Sequence, residues 1–210
     1  MENISIGLLL IAISALGYFS NWLNWRFLNY KWNEWLYFLG AFVHESSHAI
    51  FCLLSGAKIA EFKIFVRQPR VSYLKPKLPI LGNLFISIAP ALIGLLAVYL
   101  ADKFLLKNYF TIPHLKNITS FPQAFFSFLK QINFSDWKNL LALFFSLNLG
   151  AMLAPSRQDL KNIWWLIIIL FFFSSPGFTG LGILVIFLIL LSILAQSALL
   201  ILRFLLKIIF

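Results

Sequence analysis

The chain has 210 residues, of which 61% are hydrophobic and 11% charged, with a mean hydropathy of +0.89. A soluble domain carries about 25% charged residues, so the composition excludes one and indicates an integral membrane protein built as a single bundle over residues 1–210. The net charge of +10 does not indicate nucleic acid, because no basic run stands apart from the apolar segments; Lys and Arg flank the spans, where they meet anionic headgroups.

Apolar runs predict six spans, at 3–20, 35–55, 79–101, 137–155, 161–175 and 179–201. The expected fold class is an α-helical integral membrane protein of about six transmembrane helices, with a small β-hairpin between the second and third. The first run has no Lys or Arg in its leading segment and no small-residue cleavage site after it. It reads as a retained span, not a signal peptide. Trp22, Trp25, Trp32 and Trp35 follow it and form an interfacial aromatic belt.

The second run contains AFVHESSHAIFCLL. His44, Glu45 and His48 form H-E-x-x-H, and the four-residue spacing stacks both imidazoles on one helix face. Two imidazoles so placed grip one Zn²⁺, and Glu45 is positioned to act as base for a water that the metal activates. An ionisable side chain at lipid depth costs a few kcal/mol or more, so three together need a purpose. Cys52, the only cysteine, lies four residues beyond His48 and reads as a small buried side chain.

Gly56 then stops the helix. Lys58–Phe65 alternates as a strand does, Gln68-Pro69 reads as a turn, and Val71–Leu74 as a return strand. Such a hairpin could be a connector, or an edge to which an extended substrate strand adds. Lys58, Lys63, Arg67, Arg70, Lys75 and Lys77 crowd this loop, which places it in the cytoplasm together with Arg157, Lys161, Arg203 and Lys207. That orientation also puts the N-terminus in the cytoplasm. The fifth run is short, and could be tilted or re-entrant. Arg203 and Lys207 suggest an amphipathic tail lying on the surface. No internal repeat is present.

Catalytic zinc takes three protein ligands and leaves a fourth position open. The candidates for the third are Asp102, Asp136, Asp159, Glu34, Glu61 and His114. Asp102 and Asp136 sit at span ends on the opposite side, Glu34 in the aromatic belt, His114 in the long outer loop, and Glu61 in the hairpin facing water. Asp159 is the best choice. It lies at the cytoplasmic end of the fourth span, and His48 precedes the same end of the second, so the two meet about 10 Å inside the membrane at a rise of 1.5 Å per residue. The competing interpretation is a juxtamembrane carboxylate balanced by Arg157 and Lys161. Asn148, deeper in the same run, could bond a neighbouring helix or orient a substrate backbone.

Three segments in order, HESSH followed by GAKIAEFKIF, then SIAPALIG, then NLGAMLAPSRQD, resemble the site-2 protease family of intramembrane zinc metalloproteases. The resemblance covers about 40–162, with helices 1–34 and 163–210 as additions. It departs from the family pattern at Gln158-Asp159-Leu160, where Leu-Asp-Gly is common, at Ala89-Pro90 in place of Gly-Pro, and at Gly94 where Asn is frequent. These place the chain in a divergent branch. The resemblance implies peptide-bond hydrolysis of membrane-spanning protein substrates, with one Zn²⁺ per chain on His44, His48 and Asp159, and Glu45 as catalytic base. It implies a multi-pass protein of the prokaryotic cytoplasmic membrane, with its active site near the cytoplasmic side. The substrate and the lipid bilayer are then its partners. The alternatives are a non-catalytic zinc-binding membrane scaffold and a transporter that uses the same polar residues as a pathway. An intact Glu45 argues against the first, and the missing repeat against the second.

Overall fold

The computed structural model describes residues 4–26, 38–64, 69–106, 118–130 and 135–209. Among these the α-helices are α1 (Ile6–Arg26), α2 (Phe38–Leu54), α3 (Pro79–Leu100), α4 (Phe121–Lys130), α5 (Trp137–Met152), α6 (Arg157–Leu170) and α7 (Pro176–Ile209). Two short strands, β1 (Ile59–Lys63) and β2 (Arg70–Tyr73), lie between α2 and α3.

Within its described residues, each predicted apolar run contains a helix. Three helical stretches, Ile6–Leu23, Pro79–Phe104 and Pro176–Leu206, are long and apolar enough to cross a membrane. The described parts of α2, α5 and α6 have 17, 16 and 14 residues, short of the roughly 20 that a perpendicular crossing needs. Among the described residues, three helices thus have membrane length, fewer than the six spans expected.

Contacts fix the directions of the helices. Gly40 meets the Asn148 carbonyl and His44 meets that of Met152, so α2 and α5 run in parallel. Ser55 lies beside Gly82 and His48 meets Ile86, so α3 runs against α2; α6 pairs with α3 through Ser87 and Asn162, and α7 follows α1 at Leu9–Gly182 and Ser20–Gln196. Successive helices α2, α3, α5, α6 and α7 thus alternate in direction, as successive passes do. Helix α1 breaks the pattern. Its start pairs with the end of α6, through Ile6 N–H donating to the Phe173 carbonyl (2.9 Å), whereas Tyr18 further along reaches Arg157 at the start of α6. Helix α1 therefore runs parallel to α2, and its N-terminus lies at the end of the bundle opposite the hairpin. This corrects the expectation that both share one side.

Helix α7 forms the core. Every residue from Ile183 to Ile189 is buried, because α1, α4 and α5 cover it on several sides. It continues unbroken to Ile209, so the segment around Arg203 is the end of this helix and not a separate surface tail. Helix α4 lies in none of the six predicted runs. Its Phe121, Phe125 and Phe128, spaced at helical intervals, converge on Phe187 with ring centroids 5.2, 5.2 and 5.6 Å away. That apolar stripe at spacings of four and three was a legible helix signal.

The hairpin is antiparallel, with Phe62 opposite Val71. Gly56, at φ 71°, turns the chain into it through a paired C-cap. Ala57 N–H donates to Cys52 O (2.8 Å) and Gly56 N–H to Leu53 O (3.1 Å), the two bonds of a Schellman motif. Cys52, Ala57 and Ile86 pack together beneath Ile59 and Tyr73, fastening the hairpin to α2 and α3. Glu61 pairs with Arg70 and Lys63 at the surface. Hydrogen bonds from Arg70, then Lys63, hold its carboxyl down to about 2, so it stays ionised on the outer face of the hairpin.

Of the four belt tryptophans, Trp22 is exposed and stacks on Phe19 with centroids 5.8 Å apart. Glu34, Trp32, Trp35, His114, Arg67 and Gln68 lie outside the described residues.

Candidate metal centre

Helix α2 presents His44 and His48 one turn apart, both buried. Each ring is oriented by a backbone carbonyl that its own helix leaves without a partner. Nδ1 of His44 lies 2.7 Å from the carbonyl oxygen of Met152. Met152 is the last residue of α5, where carbonyls lack an intrahelical donor. Nδ1 of His48 lies 2.9 Å from the carbonyl oxygen of Ile86. Four residues on from Ile86 stands Pro90, inside α3. A proline has no N–H, so the Ile86 carbonyl loses its i+4 donor and is free to accept from His48. With Nδ1–H donating in both rings, Nε2 is the atom that each neutral imidazole offers to a metal.

Those two Nε2 atoms face each other at 3.3 Å. Two lone pairs that close repel unless a cation or a proton sits between them. Ligands held about 2.05 Å from one tetrahedral zinc are about 3.3 Å apart, so the histidine pair already has the edge length of such a site.

Asp159 supplies the third side. Its Oδ2 is 3.7 Å from His48 Nε2, about 0.4 Å wider than the tetrahedral edge. His44, His48 and Asp159 bring one ligand atom each within 4.8 Å of one another. Asp159 does not close the fourth predicted span; it stands in the first turn of α6, after a break at 153–156. There it completes a capping box. Ser156 Oγ accepts from Asp159 N–H (3.2 Å), while Asp159 Oδ2 accepts from Ser156 N–H (2.9 Å) and Ser156 Oγ–H (2.6 Å). The box fixes the carboxylate rotamer before any metal arrives. Arg157 turns away, with its guanidinium 4.9 Å over the Tyr18 ring, so it does not neutralise Asp159.

No protein-family model, curated protein or solved structure matches this chain. What the site can do therefore rests on its geometry.

The donor set fits zinc: two neutral imidazoles and one carboxylate, with outer-shell acceptors fixing both tautomers. Glu45 is buried beside His44 and faces the backbone of Val71 in β2. At 100° per residue it flanks the histidine face instead of joining it, which leaves it adjacent to the ligands without being one. A small cleft walled by Gly40, Pro90, Gly94, Leu149 and Leu153 opens on the other flank of His44.

Asn148 is fully buried. Its Oδ1 accepts from Leu39 N–H (3.1 Å) and its Nδ2 donates to the Phe144 carbonyl (3.1 Å). It thus satisfies the first turn of α2. Asp136 is the N-cap of α5, accepting from Lys138 N–H (3.0 Å). Sequence reasoning missed Ser156, Ser87, Asn162 and the carbonyls of Met152 and Ile86. The pattern Ser156-x-x-Asp159 was a readable capping signal; the others depend on tertiary packing.

Pro90→Ala tests the logic of the freed carbonyl. Alanine stabilises a helix interior by about 3 kcal/mol relative to proline. It also returns an N–H to Ile86 O, in competition with His48. The expected outcome is a metal-free thermal midpoint that is unchanged or raised, with zinc affinity weakened about tenfold, the lower end of outer-shell effects. Zinc titration against a competing chelator measures it.

Proposed function

We propose that the chain is an intramembrane zinc metalloprotease that hydrolyses peptide bonds of membrane-spanning protein substrates. The observation that carries this reading is the pair of Nε2 atoms at 3.3 Å, aimed by two carbonyls at one point beside the Asp159 carboxylate. His44, His48 and Asp159 would hold the metal. Zinc, when bound, supplies a Lewis acid for the scissile carbonyl and lowers the pKa of its water to about 7. Glu45 takes the water's proton and delivers it to the leaving amine. A helical substrate hides its carbonyls, so the segment to be cut must unwind. The adjacent hairpin supports this, because β2 faces Glu45 and is bonded on one edge only within the described two-stranded sheet.

The reading makes the protein multi-pass in a prokaryotic cytoplasmic membrane, with the basic hairpin and the site at the cytoplasmic end. The alternating helices α2, α3, α5, α6 and α7 support successive passes, the shorter ones leaving local bilayer thinning to make up the length.

The test is cleavage of a single-span protein in liposomes containing the purified chain. Cleavage should occur, stop on adding a zinc chelator and return with zinc. Cleavage that ignores the chelator, or none across a panel of single-span substrates, would overturn the proposal.

A further inference from the structure

Helices α2 and α6 carry the three proposed ligands, yet each packs mainly on other helices. Helix α2 packs on α3 and α5, and α6 on α3 and α1. Helix α3 is the element they share. The capping box sets the Asp159 rotamer only relative to its own helix; the register of α6 against α2 is set by the short 153–156 link from α5 and by packing on α3.

Two consecutive residues of α3 reach both helices. The Ile86 carbonyl holds His48 of α2 at 2.9 Å. Beside it, Ser87 Oγ accepts from Nδ2 of Asn162 on α6 at 2.8 Å. Asn162 lies three residues after Asp159, one turn along α6 and on the same side of it. Ser87 is 3% exposed, and its bond to the half-buried Asn162 joins two apolar helices. A sliding or tilting α6 would carry Asp159 away from His48, and the Ser87–Asn162 bond resists both movements.

We infer that Ser87 and Asn162 are positioning residues for the metal site: their hydrogen bond locks α6 to α3 and so sets Asp159 at ligand distance from His48. This rests on the proposed zinc site and adds to it the device that brings its two halves together.

The test is a double-mutant cycle on the full chain in detergent, with Ser87→Ala, Asn162→Leu and both together. Zinc dissociation constants are measured by competition with a chelator, and metal-free thermal midpoints alongside. Each single variant should bind zinc about 10–100-fold more weakly, the range for outer-shell partners. The double variant should be no worse than the weaker single, because one bond has been removed twice. A merely structural bond would lower the metal-free midpoint and leave zinc affinity within about threefold; that result, or losses that add, overturns the inference while the zinc site stands. A wild-type chain that takes up no zinc overturns both. Should Asn162→Leu fail to fold, Ser87→Ala alone decides, since it removes one hydroxyl and no volume that α3 needs.

Discussion

Glu45→Gln should lower proteolysis by about 10²–10⁴-fold, the contribution of a positioned general base, while zinc content stays at one per chain. The substitution is nearly isosteric and removes only the proton-accepting oxygen. Glu45 points off the face that His44 and His48 share and toward Val71 of β2, so losing its charge should spare the ligand set. The paired measurement is metal content by mass spectrometry and substrate cleavage in liposomes. Cleavage at the wild-type rate removes Glu45 from the mechanism. Lost cleavage together with lost zinc would make Glu45 a ligand. The variant has a second use: a chain that binds substrate without cutting it can be isolated with that substrate attached.

The legible and illegible parts of this site divide along a physical line. H-E-x-x-H was readable because helical periodicity alone brings His44 and His48 together, whatever the rest of the chain does. Asp159 was readable by elimination, but its setting was not. It appeared to end a span, and instead it starts α6, where the Ser156 capping box aims it. Local side-chain pattern encodes that box, so it could have been found. The carbonyls of Met152 and Ile86 could not. Every residue has a carbonyl, and which ones lie free depends on where α5 ends and on which turn of α3 meets His48. Pro90 was visible in the sequence, but its consequence for Ile86 acquires meaning only when α2 packs there. The direction of α1 was misread for a different reason. Counting Lys and Arg assigns loop sides on the assumption that successive apolar runs alternate, and the contacts of Tyr18 and Ile6 with α6 break that assumption at the first step.

The largest effect on metal binding is expected at Asp159, and choosing the substitution matters. Asp159→Ala removes a proposed ligand and also the acceptor for Ser156 N–H and Oγ–H; loss of a cap costs about 0.5–2 kcal/mol in helix stability. A fall in zinc would then be open to two explanations. Asp159→Asn keeps an acceptor oxygen for the cap and removes the negative charge. Structural zinc sites bind with about 10–16 kcal/mol over four ligands, or about 2.5–4 kcal/mol for each, so Asp159→Asn should weaken zinc by about 10²–10³-fold. Electrostatics pushes the same way. Two neutral imidazoles, Asp159 and Glu45 balance a divalent ion to zero net charge, whereas the variant leaves one uncompensated positive charge in a buried site, which costs several kcal/mol if nothing relaxes. Competition titration in detergent reads the affinity, and thermal unfolding without metal reads the cap. The expected pattern is a large loss of affinity with a metal-free midpoint close to wild type. Equal zinc affinity in Asp159→Asn and wild type would mean that the third ligand lies elsewhere, and Asp159 would then be the N-terminal cap of α6 and nothing more.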